Sequence, residues 1–178
     1  MDLVRSVAIA AGLTLTACTG VPDGITPISE LDAGRYQGTW YEIARLDHSF
    51  EEGLSRVTAE YELQEDGSLT VINRGYDTAE GRWSLAEGTA KFVGEGQSGH
   101  LKVSFFGPFY SAYVIFELDQ PDYQHAYITG YNRDYLWFLA RTPEVSEAAM
   151  ARFRARAEAE GFDLSELIVV DQSPVPGQ

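Results

Sequence analysis

Between residues 36 and 141 the chain is cut into eight short runs rich in β-branched and aromatic residues, each set off from the next by a few residues of turn chemistry. That spacing points to an antiparallel, all-β domain. The clearest run is 56–64, where Val57, Ala59, Tyr61 and Leu63 alternate with Thr58, Glu60 and Glu62, giving one dry face and one wet face. Glu65-Asp66-Gly67 signals a tight hairpin into 68–76; residues 77–81 turn into 82–93, 94–99 into 100–106, Gly107-Pro108-Phe109 into 110–118, and 119–122 into 123–130. With 36–46 first and 135–141 last there are eight strands. An up-and-down series of eight whose ends pair closes into a β-barrel, which removes exposed sheet edges. Its interior either holds one small ligand or is packed shut by its own side chains.

The flanks add a helix and a leader. After Thr142-Pro143, Ser146 reads as an N-cap, Glu147 as a first-turn acid and Gly161 as a stop. Met150, Phe153 and Ala157 then form one stripe that packs outside the sheet, and 167–170 reads as a short final strand. At the other end, the uncharged run from Val7 to Leu15 is shorter than the roughly 20 residues a bilayer span needs and fits the apolar part of a secretory signal. Leu15-Thr16-Ala17-Cys18 resembles the lipobox of bacterial lipoproteins, which implies cleavage before Cys18 and acylation of its thiol; a plain signal peptide cleaved nearby is the alternative. The expected organisation is a signal peptide over 1–17, a lipidated tether over 18–33 able to extend roughly 50 Å, a barrel domain over 34–172 and a tail over 173–178. Cys18 is the only cysteine, so once acylated it leaves no thiol for a disulfide, a nucleophile or a metal. The 27 acidic residues outnumber the 13 Lys and Arg, for a net charge of −14, and such a field repels nucleic acid.

Three sets of residues carry a family resemblance. Gly38-Thr39-Trp40 stands at the start of strand one, Arg141 ends strand eight in Trp137-Phe138-Leu139-Ala140-Arg141, and a degraded third motif, Leu118-Asp119 followed by Asp122-Tyr123, lies between strands six and seven. In these features, and in Lys102 to Tyr110 and Val71 to Tyr76, the chain resembles the lipocalins, specifically the bacterial outer-membrane lipoprotein branch related to apolipoprotein D. The resemblance implies an eight-stranded barrel with an external C-terminal helix, in which Gly38, Trp40 and Arg141 are structural: the tryptophan plugs the closed end and the arginine lies across its indole. Arg141 as a ligand-binding cation is the competing assignment.

With Trp40 at the closed end, the loops after strands one, three, five and seven (47–53, 77–81, 107–109 and 131–134) form the mouth. The phase of Tyr61 carried across the sheet turns Val57, Ala59, Tyr61, Leu63, Val71, Asn73, Ala90, Phe92, Val103 and Phe105 inward, and strand eight sends in Trp137 and Leu139. Strand six is equally apolar on both faces; Tyr113 is assigned to the cavity by the resemblance. Tyr61, Val71, Asn73, Phe92, Phe105, Tyr113 and Trp137 are therefore the candidate ligand-binding residues, with Asn73 or tyrosine hydroxyls positioned for a headgroup. The resemblance implies a lipid ligand, a fatty acid or lysophospholipid, and a chain anchored to the outer membrane, facing the periplasm. No cofactor, metal or catalytic residue is expected: His48, His100 and His125 are scattered, and there is no nucleophile motif. Glu42, in phase with Trp40, reads either as a buried salt-bridge carboxylate or as an outward residue. An envelope protein acting through an apolar rim of Phe50, Phe106 and Phe109, a lipocalin-fold enzyme and a homodimer remain open.

Overall fold

The computed structural model describes residues 18–94 and 96–175. The expected signal peptide and the last three residues of the expected tail lie outside that range. The strands are β1 (Gly38–Leu46), β2 (Leu54–Leu63), β3 (Leu69–Asp77), β4 (Arg82–Phe92), β5 (His100–Phe106), β6 (Phe109–Leu118), β7 (His125–Thr129), β8 (Leu136–Ala140) and β9 (Leu167–Val169), with helices α1 (Ala33–Tyr36) and α2 (Glu147–Ala159). Consecutive strands pair antiparallel from β1 to β8, and β8 returns to pair with β1, so the eight strands close as the alternation predicted. The first expected strand is shortened: residues 33–36 form a helical turn capped by Asp32, and the chain enters β1 only at Gly38, whose φ of +87° an L side chain rarely adopts.

Trp40 is fully buried and donates from its indole N–H to the Tyr36 carbonyl at 2.9 Å. Arg141 lies over the ring with its guanidinium carbon 4.0 Å from the centroid. The same guanidinium donates to the carbonyls of Thr39 (3.0 Å), Arg35 (2.8 Å) and Tyr123 (3.3 Å), joining β1, α1 and the β6–β7 loop. Tyr123, from the degraded motif, accepts from the Asp32 N–H and carries the Arg35 guanidinium over its ring at 4.2 Å, so the motif keeps its place under α1.

Two apolar layers sit either side of the β6–β7–β8 wall. The inner one holds Leu69, Leu101, Ile115 and Ile128 around Trp40. The outer one sandwiches Leu136, Phe138 and Val114 against α2, where Phe153 stacks on Phe138 at 4.9 Å and meets Tyr127 edge-on at 5.1 Å. Ser146 caps α2 as expected, and Ala149, Phe153 and Ala157 are its buried stripe.

Residues 19–33 differ from the expected tether: they are strapped along the barrel. The Ile28 N–H donates to Ile115, the Gly99 N–H to Ile28 and the Leu31 N–H to Gln97, while Ile25 and Leu31 are buried. Apolar side chains at 25, 28 and 31 make docking more favourable than extension, because their burial outweighs the chain entropy that extension would keep.

Replacing Trp40 with Ala removes the plug and strands the Arg141 charge. Urea unfolding of Trp40→Ala should show a loss of about 3 to 5 kcal/mol; a loss below about 1 kcal/mol would mean that the closed end is held by other contacts.

Candidate functional site

The barrel is not packed shut. A cavity of about 340 Å³ opens at the end opposite Trp40, near the lower bound of about 300 to 1,000 Å³ for ligand pockets, which suits one slender molecule. Its walls are mostly aliphatic and aromatic, with Val57, Ala59, Val71, Ala90, Val103 and Phe105 facing inward from β2 to β5. Six of the seven candidate ligand-binding residues, Tyr61, Val71, Asn73, Phe105, Tyr113 and Trp137, line it. Phe92 does not. It keeps the inward phase but, with Leu63, packs against the closed-end cluster beneath the cavity, because both stand at strand ends next to even-numbered hairpins. The Asn73 side-chain oxygen is buried and has no hydrogen-bond partner among the described residues, so it is an acceptor facing the cavity unused.

The floor is polar but uncharged. Tyr61 donates to the Tyr113 hydroxyl at 2.8 Å, and Tyr113 shares a 2.7 Å hydrogen bond with Tyr36, whose ring lies 4.9 Å from Trp40. Burial, first among the causes, pushes all three phenols above their ordinary pKa and keeps them neutral. A ligand thus meets hydroxyls, then Tyr36, then the indole, then the Arg141 cation: the layers run from cavity to closed end.

One wall near the mouth is charged. In β1 a bulge between Glu42 and Ala44 shifts the register against β8, so Glu42 and Arg45 are both fully buried although strict alternation would turn one of them out. Arg45 donates to Glu42 at 2.8 Å and to the carbonyls of Glu51 (2.9 Å) and Leu54 (3.1 Å). The β1–β2 loop folds into the mouth: Glu51 accepts from the Trp137 indole at 3.0 Å and sits 3.3 Å from His48 Nε2, and the Phe50 ring packs 5.1 Å from that of Phe105. Gln172 bridges β1 and β2 where their ladder ends at Tyr41 and Thr58, donating to the carbonyls of Glu42 (2.8 Å) and Val57 (2.9 Å).

The two carboxyls share this wall unequally. Burial, and then the Glu51 charge, push the Glu42 pKa well up; its one side-chain donor, Arg45, does not compensate. Burial opposes ionisation of Glu51 too, but His48, Trp137 and Arg45 together hold its pKa below the ordinary value. The two carboxyls are thus pushed apart, Glu42 toward its protonated form and Glu51 toward its ionised form. Sequence reasoning raised Glu42, and His48 only as one of three scattered histidines; it missed Glu51, which lies in a loop with no periodicity to read, and Arg45, which only the bulge turns inward.

Comparison with known proteins bears on this geometry. The family profile described as a lipocalin-like domain matches residues 31–172. The chain is 49% identical over 164 residues to outer membrane lipoprotein Blc of Vibrio cholerae, covering 92% of this chain and 96% of that one, and 49% identical over 175 residues to outer membrane lipoprotein Blc of Escherichia coli strain K12, covering 97% and 98%. The solved structure of insecticyanin from the tobacco hornworm Manduca sexta superposes with a TM-score of 0.68 at 18% identity, covering 86% of this chain and 87% of that one, a likeness of fold.

Because the folded-state pKa of Glu42 is raised above an unfolded value of about 4.3, its proton favours the folded chain fully below that value. That contribution is lost as pH rises through the raised pKa, at a slope of at most about 1.4 kcal/mol per pH unit. Glu42→Gln keeps the Arg45 hydrogen bond without the titration. Denaturation midpoints from pH 4 to 9 should therefore show the wild type losing stability relative to Glu42→Gln as pH rises; parallel curves would mean that Glu42 is ionised in the fold.

Proposed function

This chain belongs to the lipocalin family, and from that premise we propose that it is a lipid carrier of the bacterial outer membrane, anchored through an acylated Cys18 and holding a fatty acid or lysophospholipid in its barrel. The observation that carries the reading is the open cavity of about 340 Å³ with aliphatic and aromatic walls. Each buried methylene contributes about 0.8 kcal/mol, so a chain of ~16 carbons gains roughly 13 kcal/mol gross. Association and ordering cost about 4 to 15 kcal/mol, leaving affinities near the micromolar range that permit release. The anchor and the location are supported by the lipobox-like stretch before Cys18 and by relatives named as outer membrane lipoproteins.

The mouth wall holds charges of both signs, the Arg45 guanidinium and the Glu51 carboxylate, so a zwitterionic lysophospholipid headgroup meets a partner for each of its charges there. Tyr61, Val71, Asn73, Phe105, Tyr113 and Trp137 are the contacts proposed for the ligand, and the unused Asn73 oxygen is positioned to accept from it. The reading is of a binding protein, not an enzyme: the charged groups of the wall engage one another and Trp137, as a structural network does.

The test fills the cavity and leaves its polar groups in place. Val103 is half-buried and lines the cavity, so Val103→Trp should fold normally and bind lysophosphatidylethanolamine at least tenfold more weakly, about 1.4 kcal/mol or more. Titration with lysolipid followed by native mass spectrometry reads the bound fraction, and protein purified from its host should carry lipid. Unchanged affinity in the filled variant would place any lipid outside the barrel.

A further inference from the structure

The strap of residues 18–31 fixes where an anchor would leave the barrel. Its lower end lies at the closed end, where Leu31 donates to Gln97, and Glu30 accepts from Gln120 in the β6–β7 loop. Its upper end lies toward the mouth. The Cys18 carbonyl accepts from the Ala112 N–H at 2.8 Å, and the Asp23 carbonyl accepts at 2.7 Å from Arg133, a residue of the β7–β8 mouth loop. Ala112 is three residues past Phe109, so Cys18 is tied about 10 Å below the tip of the β5–β6 hairpin. The chain descends from Cys18, which is exposed.

That rim has two unlike halves. The β1–β2 and β3–β4 loops present the exposed acids Asp47, Glu52 and Glu80 around a 43% exposed Phe50, against the single exposed acid Asp134 in the mouth loops of the other half. The other half, adjoining Cys18, ends in the uncharged tip Phe106-Gly107-Pro108-Phe109; Phe106 and Phe109 are each 75% exposed, with Tyr131 in the next loop 36% exposed. Two phenylalanines standing in water at one hairpin tip, beside the residue that bears the anchor, match an interfacial contact, where aromatic side chains favour the boundary between headgroups and acyl chains. The acidic half, on an anionic leaflet, would be held away from it.

We propose that the mature chain sits mouth-down on the leaflet that holds its anchor, with the β5–β6 tip seated among the lipid headgroups. This rests on the reading of Cys18 as the acylated residue. The short, hydrogen-bonded strap holds the opening against the bilayer, so a lipid passes between membrane and cavity without crossing open water, and the anchor selects an orientation as well as a location.

The test uses the full chain, acylated and reconstituted in vesicles of phosphatidylethanolamine and phosphatidylglycerol containing doxyl-labelled phosphatidylcholine. Acylation consumes the Cys18 thiol, so a dye goes onto one introduced cysteine, Gly107→Cys at the tip, where a side chain meets open space, or Glu65→Cys at the closed end. The tip dye should be quenched at least threefold more than the closed-end dye, and adding Phe106→Ser with Phe109→Ser should bring it down to the closed-end level while the protein stays on the vesicles. Equal quenching at both ends, or tip quenching that survives the double change, overturns the proposal. So does self-quenching between tip dyes on two copies in vesicles diluted with unlabelled lipid, which would show the copies pairing through the tip. The mass of the N-terminal peptide separates the failures: an acylated chain with an unquenched tip refutes the docking and leaves the carrier reading intact, whereas an unmodified Cys18 removes the anchor and the docking together.

Discussion

The contact between the Arg141 guanidinium and the Trp40 indole is the constraint on which the barrel depends. Residues 101 positions apart in sequence meet there, and the arginine's remaining donors take carbonyls from β1, α1 and the β6–β7 loop. A planar cation with several donors can cover a ring and satisfy three carbonyls at once, which a lysine cannot. With one end sealed in this way, the other is free to stay open. A cavity left unfilled forfeits packing contacts, and the layered closed end, with the outer layer under α2, supplies burial elsewhere.

Function and stability compete most directly along β1. A regular strand would have turned Arg45 outward; instead the bulge after Glu42 brings it inside beside that carboxyl, and the β1–β2 ladder ends at Tyr41 and Thr58. Three devices offset that disruption. Arg45 is tied to Glu42 and to two loop carbonyls, Glu51 is held by Trp137 and His48, and Gln172 bridges the parted strands. A buried network of this kind is costly unless its members satisfy one another. Among the described residues, Arg45 Nε and both ring nitrogens of His48 lack a hydrogen-bond partner, with His48 Nε2 keeping only its 3.3 Å contact with Glu51. The result is a polar wall inside an otherwise greasy cup, with a neutral hydroxyl floor beneath it.

The strap links the closed end to the mouth along the outside of the barrel. Ile25, Ile28 and Leu31 convert what composition suggests is a loose leash into a rigid spoke, and a rigid spoke transmits orientation where a leash transmits only proximity. Mouth, exposed aromatic tip and Cys18 then belong to one end of the molecule.

By itself the sequence determined the number of strands, their order and closure, and the outer helix with its Ser146 cap, because period-two alternation and turn chemistry are local signals that a chain carries in its residue order; the pairing of Trp40 with Arg141 was legible only through the family resemblance. It also determined most of the cavity lining, since one unambiguous strand at 57–63 fixes the phase of its neighbours through their register. Tertiary structure alone decided what breaks that periodicity. The β1 bulge that buries Arg45 is a register shift no residue spacing announces. The depth that takes Phe92 out of the cavity depends on where each strand ends relative to its neighbours, the inward fold of His48 and Glu51 depends on loop packing, and the path of residues 19–33 depends on a surface that does not exist until the barrel has closed.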